Sequence, residues 1–308
     1  MKNLLKHCCL LLILVFIGSN LSPKALAQTQ RGITVVPSIA HIDLSTDPAE
    51  YELTYVNDTN AEITLNLSVQ DFSQLEDSYK LDFLSPKDSS NYKYSLSSWL
   101  SFENPQLQLA PGEKKRVRVF IDKTRITKGG HYASILAQIG GDNNAKTVNV
   151  KGILSSLLFV RASTGQEVED GKITDFTPLR DGIDYPNSYM LRFENNGNVY
   201  VTPHGLIQVY DPLGNLVAKG TFNQDSLDAL PESIRRYDIN ITNYQPLLLP
   251  GFYTTKIQLH FGKTNKTITT TTRFFSQGMF NFLKIGLTLI GILLLTLYLR
   301  KKLHKQTS

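Results

Sequence analysis

Four histidines stand in the body of the chain: His41, His131, His204 and His260. None has a second ligand at metal-binding spacing. His41 and His260 fall on alternating positions of strand-like runs, which reads as surface placement. Gly140-Gly-Asp-Asn-Asn-Ala-Lys-Thr147 is one residue away from a phosphate-binding loop, with Ala145 where the second glycine belongs. Such a loop needs a helix behind it to aim amides at the anion. Val148-Asn-Val150 continues instead as a strand, so the segment reads as a hairpin loop. Asp170, Asp175, Asp181 and Asp184 could bind calcium, but their spacing is not that of a calcium loop and a charged linker is the simpler reading. There is no Gly-x-Ser-x-Gly and no His-Glu-x-x-His. No catalytic residue, metal or cofactor is expected. A carboxylate pair hidden in a cleft would make a hydrolase, and that alternative stays open.

Both ends of the chain read as membrane-directed. Met1–Lys6 is a basic start, Leu10–Ile17 is apolar, and Ala25-Leu-Ala27 supplies small residues for cleavage between Ala27 and Gln28. Cys8 and Cys9, the only cysteines, lie upstream of that bond, so the mature chain has no thiol chemistry and no disulfide. An exported chain without disulfides fits a bacterium. Ile285 to Leu299 contains no charge, and Arg300, Lys301 and Lys302 follow at once. The spacing predicts a transmembrane helix over 277–299, with Ile285, Leu289, Ile292, Leu295 and Leu299 in the bilayer. The basic tail, 300–308, would lie in the cytoplasm and the body outside.

The chain has 308 residues and a net charge of +5. The first 27 residues hold three lysines and no acid, and the last 25 hold five basic groups and no acid. The body between them is therefore net acidic, which argues against nucleic acid as a partner.

Between 28 and 276 the apolar residues alternate with period two. Tyr51–Val56, Ile63–Val69, Arg116–Ile121, Thr147–Val150, Tyr189–Phe193, Gly205–Tyr210 and Thr254–Phe261 all read as half-buried strands. Turn residues separate them. The expected fold class is all-β, as two tandem immunoglobulin-like sandwiches plus one C-terminal transmembrane helix. The first sandwich is expected over 28–162 and the second over 163–276. An internal repeat supports the division. Tyr51, Leu53, Asn57, Asn60 and Thr64 match Tyr189, Leu191, Asn195, Asn198 and Thr202 at a constant offset. The turns Ala110-Pro-Gly112 and Pro250-Gly251 fall at nearly the same offset and read as equivalent.

Residues 71–106 are long for a connection between neighbouring strands. They carry Tyr79, Tyr92, Tyr94 and the single Trp99. Trp99 suits the core, while Tyr79, Tyr92 and Tyr94 are the candidate binding residues. Whether the insert is a binding loop or packed structure is left open.

The first sandwich resembles the amino-terminal immunoglobulin-like domain of periplasmic pilus chaperones. The residues that carry the resemblance are Leu53-Thr-Tyr-Val-Asn57, Leu107–Val119, Gly130–Leu136 and Leu157-Leu-Phe-Val-Arg161. Those chaperones hold a subunit's terminal carboxylate with a basic pair. Here the place of the Lys is Ser156 or Leu157, and the strand that would carry the Arg reads Val35 to Ile39. The layout as a whole resembles the WxL-interacting surface proteins of Gram-positive bacteria. That likeness implies a bilayer anchor and an envelope protein or glycan as partner. The expected function is a non-enzymatic, single-pass, membrane-anchored protein binding such a partner through its sandwiches. The alternative is a structural stalk or an assembly factor for pili or surface proteins.

Overall fold

A computed structural model describes residues 32–78, 80–140, 152–179, 186, 188–241, 249–278 and 280–306, with side chains of the last helix from 283 to 298. The expected signal segment with Ala27 and Gln28, Tyr79, the glycine-rich loop after Gly140, and Asp181 and Asp184 lie outside these residues.

Alternation dictates two-faced strands, and two such faces close on each other as a sandwich. The first strand splits in two. β1 (Ile33–Val36) pairs antiparallel with β3 (Glu50–Asn57), whereas β2 (Ile39–Asp43) crosses to the facing sheet. There β2 runs parallel to β10 (Ile153–Arg161), Ile39 opposite Leu157 and Asp43 opposite Arg161. One sheet has the order β1-β3-β8-β6, with β8 at Lys114–Ile121 and β6 at Leu100–Phe102. The other has the order β2-β10-β9-β4, with β9 at Gly130–Ile139 and β4 at Ile63–Gln74. β5 (Leu81–Phe83) and β7 (Gln106–Leu109) add to β4. This is immunoglobulin-like topology. Leu53, Tyr55, Leu65, Val119, Ile135 and Leu158 fill the space between the sheets.

The second sandwich packs a three-stranded sheet on a four-stranded one. The first holds β11 (Gly171–Leu179), β12 (Ser188–Asn195) and β15 (Ser233–Asn240). The second has the order β14-β13-β16-β17, from Leu216–Phe222, His204–Tyr210, Gly251–Phe261 and Lys266–Ser276. Its core is richer in rings, among them Tyr189, Phe193, Phe222, Tyr253 and Phe261.

The repeat at Asn57 and Asn195 has a structural cause. Both are completely buried at the end of the second strand of their sandwich. Asn57 Nδ2 donates to the carbonyls of Ala61, Leu109 and Ala110, and its Oδ1 accepts from Thr59 N–H. Asn195 Nδ2 donates to the carbonyls of Val199 and Ala229, and its Oδ1 accepts from Gly197 N–H. Each side chain closes its own turn and ties it to the loop before the β8 or β15 strand. The two Pro-Gly turns are not equivalent, correcting the expectation. Ala110-Pro-Gly112 precedes β8, and its counterpart is the loop at Ala229 before β15, whereas Pro250-Gly251 leads into β16.

The 71–106 insert, left open above, contains the end of β4, then β5, a one-turn helix α1 (Pro86–Ser89), β6 and the start of β7 among its described residues. The C-terminal helix α2 runs Phe280–Gln306, so it starts later than 277 and continues through the basic residues expected as a tail. Lys and Arg are good helix formers, and cations suit a helix C-terminus. Among the described residues, which include the side chains of α2 only from 283 to 298, no helix is long and apolar enough to cross a membrane.

Replacing Asn57 or Asn195 by Ala leaves several buried carbonyls and an amide without partners. Each change is expected to cost about 2–4 kcal/mol by denaturant titration.

Candidate functional site

Two places bring chemistry to the surface of the first sandwich: an uncovered strand edge and a cleft under the insert. The edge arises because β2 meets β10 only from Leu157 onward. Among the described residues, no strand pairs with Ile153–Ser156 on that side, while β9 pairs with them on the other. Ile153, at the start of this stretch, is 60% exposed, and Val36 and Ile39, on either side of the corner between β1 and β2, are 56% and 47% exposed. Ser156 is wholly buried, and its hydroxyl donates to Pro37 O at 2.7 Å, fixing the corner where β1 hands over to β2. An uncovered row of backbone donors and acceptors beside apolar side chains is a template for one more strand. No cation stands in it: Val36–Ile39 and Ile153–Ser156 contain no basic residue.

The cleft is built by one carboxylate. Asp71 lies on β4 with no exposure, so it must be fully hydrogen-bonded. It accepts from Leu96 N–H (2.8 Å), Ser97 N–H (2.7 Å), Ser95 Oγ (2.6 Å), Ser97 Oγ (2.7 Å) and Ser89 Oγ. These bonds pull the insert down onto the sheet. Leu96 enters the core, and Trp99 lies half-buried with its ring 4.2 Å from that of His131. A cavity of ≈ 640 Å³ remains between insert and sheet, lined by Ser68, Gln70, Ser90, Tyr92, Ser98 and Trp99 among others. Hydroxyls with two aromatic faces suit a neutral polar ligand.

The expected binding residues separate here. Tyr92 is half-buried on the cleft wall, and burial pushes its hydroxyl well above the ordinary tyrosine range. Tyr94 is only 3% exposed and belongs to a ring cluster, so it offers no surface. That cluster joins the sandwiches. Phe72, Tyr94, Tyr132 and Phe159 meet Leu230 and Tyr200 of the second one. Tyr132 Oη accepts from Tyr200 N–H at 2.8 Å, and complete burial pushes its hydroxyl far up.

Ion pairs surround the cluster. Arg161 meets Glu169 at 2.7 Å with both side chains nearly buried, and Lys93 meets Glu232 at 2.5 Å. Arg192 bridges Asp77 of the insert and Asp175, the latter at 2.7 Å. His41 is exposed, as expected, and its Nε2 lies 2.7 Å from Asp228 with its ring against both Phe159 and Tyr200. Asp43 pairs with Lys263. Sequence reasoning missed these partners; Lys93–Glu232, Arg192–Asp77, His41–Asp228 and Asp43–Lys263 join segments far apart in the chain. Among the described residues no group of three or more His, Cys, Asp or Glu could hold a metal ion.

Burial alone would raise the Asp43 carboxyl, but hydrogen bonds from Lys263, Ser163 and Ser45 outweigh it and hold it well below the usual range. Glu169 is likewise raised by burial, yet lowered on balance by Lys263 N–H and Arg161. Burial lowers His131.

No protein-family model matches the sequence, and no curated protein sequence matches it. Solved structures with which the chain aligns include pilus chaperones and their complexes. A chain of the chaperone–tip adhesin complex of CFA/I fimbriae gives a TM-score of 0.44 at 11% identity, covering 78% of this chain and 98% of that one. The class 5 fimbriae chaperone CfaA gives 0.43 at 12%, covering 78% and 99%. A chain of the Salmonella enterica SafA pilin–SafB chaperone complex gives 0.40 at 11%, covering 81% and 98%.

Two outcomes are expected. Asp71→Ala removes the acceptor of five bonds, so residues 85–99 should become sensitive to limited proteolysis at a stability cost of about 3 kcal/mol. The lowered carboxylates Asp43 and Glu169 stabilise the fold fully above unfolded values near about 4, and that contribution is lost as pH falls below them. His131, lowered and neutral, loses stability as pH falls through its unfolded value near about 6.5. Both act in one direction, so the denaturation midpoint should drop on acidification and hold from pH 7 to 8.

Proposed function

We propose that the chain is a non-enzymatic, extracytoplasmic assembly or binding protein, anchored by α2, that captures an extended segment of an envelope protein along β10. The observation that carries this reading is the uncovered edge at Ile153–Ser156, flanked by exposed Val36, Ile39 and Ile153. A captured segment would add a strand beside β10, with main-chain hydrogen bonds for affinity and alternate apolar side chains for register. Because the resemblance to pilus chaperones puts Ser156 or Leu157 where a cation would hold a terminal carboxylate, recognition would rest on the interior of the segment rather than its end. The expected likeness to WxL-interacting surface proteins and a bacterial envelope fit this reading.

Support for the anchor comes from α2. Within its 27 residues the uncharged run Ile285–Leu299 extends about 22 Å, and Lys284 and the basic residues from Arg300 onward would reach the headgroups on either side. Each large apolar side chain described in it is more than half exposed, all round the helix. Such a helix needs an apolar surrounding.

A second reading places a glycan in the cleft, favoured by Tyr92, Trp99 and the serine hydroxyls.

A photo-crosslinker at Ile153 in intact cells is expected to join an extended, alternating segment of an envelope protein, and one at Asp225 is not. Ile153→Pro removes the amide and side chain of the edge and should weaken that association about tenfold or more. Unchanged association in Ile153→Pro, with loss in Tyr92→Ala, would move the site to the cleft and reject the edge.

A further inference from the structure

We propose that the end of the second sandwich nearest α2 is a lipid-dipping tip, with Leu213, Phe252 and Phe275 seated in the headgroup region of the bilayer. This rests on the anchoring of α2 proposed above. Three segments converge at that end. Phe252 and Phe275 are direct partners in the β16–β17 ladder, with ring centroids 5.4 Å apart. The turn between β13 and β14 reaches the same place, since a Cβ built on Gly251 would lie 2.9 Å from Pro212 Cγ. Leu213 follows Pro212 at the crest of that turn.

These large apolar side chains face outward: Leu213 is 76% exposed, Phe252 64% and Phe275 45%, with Leu216 behind them at 41%. The turn is rigid. Asp211 Oδ1 accepts from the N–H groups of Leu213 and Asn215, so Leu213 is held out rather than folded away.

The occupant follows from chain length. β17 ends at Ser276 and α2 begins at Phe280, four residues on. Four residues span at most about 14 Å. The headgroup and interfacial layer on each side of a bilayer is about 5–8 Å thick. With α2 in the hydrocarbon, the tip lies at the surface of the same leaflet, where aromatic and apolar side chains partition favourably. The opposite end of this sandwich carries different groups, Asp228 and Asn223 held in hydrogen bonds and Asp225 exposed, and it adjoins the first sandwich. A single tether leaves a domain free to swivel. The tip adds three further contacts and so orients the sandwiches on the membrane.

The test uses the full chain in vesicles of phosphatidylcholine and phosphatidylglycerol, with a fraction of lipid brominated high on the acyl chain. Leu213→Trp is compared with Asp225→Trp, and the parent chain with Trp99 alone sets the baseline. Both sites are exposed, so the fold tolerates the changes. Emission from Leu213→Trp is expected to shift to the blue and to be quenched at least about twofold more than that from Asp225→Trp. Equal quenching at the two sites, in protein that floats with the vesicles after an alkaline wash, overturns the tip while leaving the anchor intact. A blue shift without bromine quenching means that a second copy covers Leu213, and it also overturns the tip. Failure to float removes the anchor and the tip with it.

Discussion

A single strand cannot cover the edges of two sheets along its whole length, and the first strand of this chain is asked to do so. It spends Ile33–Val36 on one sheet and Ile39–Asp43 on the other. The corner between them is pinned by the Ser156 hydroxyl on Pro37 O. What is left over is the opening of β10. An uncovered edge is a liability that proteins commonly blunt with charge, proline or a bulge. Here Ile153–Ser156 carries none of these and is bordered by apolar side chains. The proposed capture rests on that retention.

The remainder of the molecule holds this edge in a fixed frame. The ring cluster of Phe72, Tyr132, Phe159 and Leu230 is continuous across the two sandwiches, and it is sealed by the Arg161–Glu169 pair. Glu169 also receives Lys263 N–H, so the connection between sandwiches is tied to both. Gly129 has a φ of +100°, and a Cβ there would lie 2.6 Å from Asn198 O. The backbones of the two sandwiches approach that closely. The Asp71-held insert adds an outer strut through Asp77 to Arg192 and Lys93 to Glu232. Breaking the Arg161–Glu169 pair removes a partner from a group the fold has already desolvated, whereas the strut pairs are largely exposed and contribute less.

The strands were legible in the sequence where alternation was strict. Tyr51–Val56 lies in β3, Arg116–Ile121 in β8 and Thr254–Phe261 in β16. The Asn57–Asn195 repeat was legible because its chemistry is local to a turn. Equivalence of the Pro-Gly turns was misread, because a matching offset says nothing about which strand follows. The fate of Tyr94 was not legible either. In a segment without regular period, nothing local tells which of two rings, Tyr92 or Tyr94, turns inward. Asp71 left a faint signal, an acid followed by a serine-rich stretch, but its five donors are chosen by the fold. The pair of His41 with Asp228 spans 187 positions and could not be anticipated from spacing.

The β16–β17 ladder determines how the molecule carries tension. β17 delivers the chain directly to α2, while the far end of β16 abuts Glu169 and Asp43 through Lys263. A pull between the helix and the first sandwich would therefore run lengthwise along the eleven residues of β17, which β16 pairs throughout. Lengthwise loading strains the rungs of the ladder together instead of peeling them one at a time. Under the anchoring and capture proposed above, the second sandwich would act as a shear-loaded coupling between the helix and the captured segment.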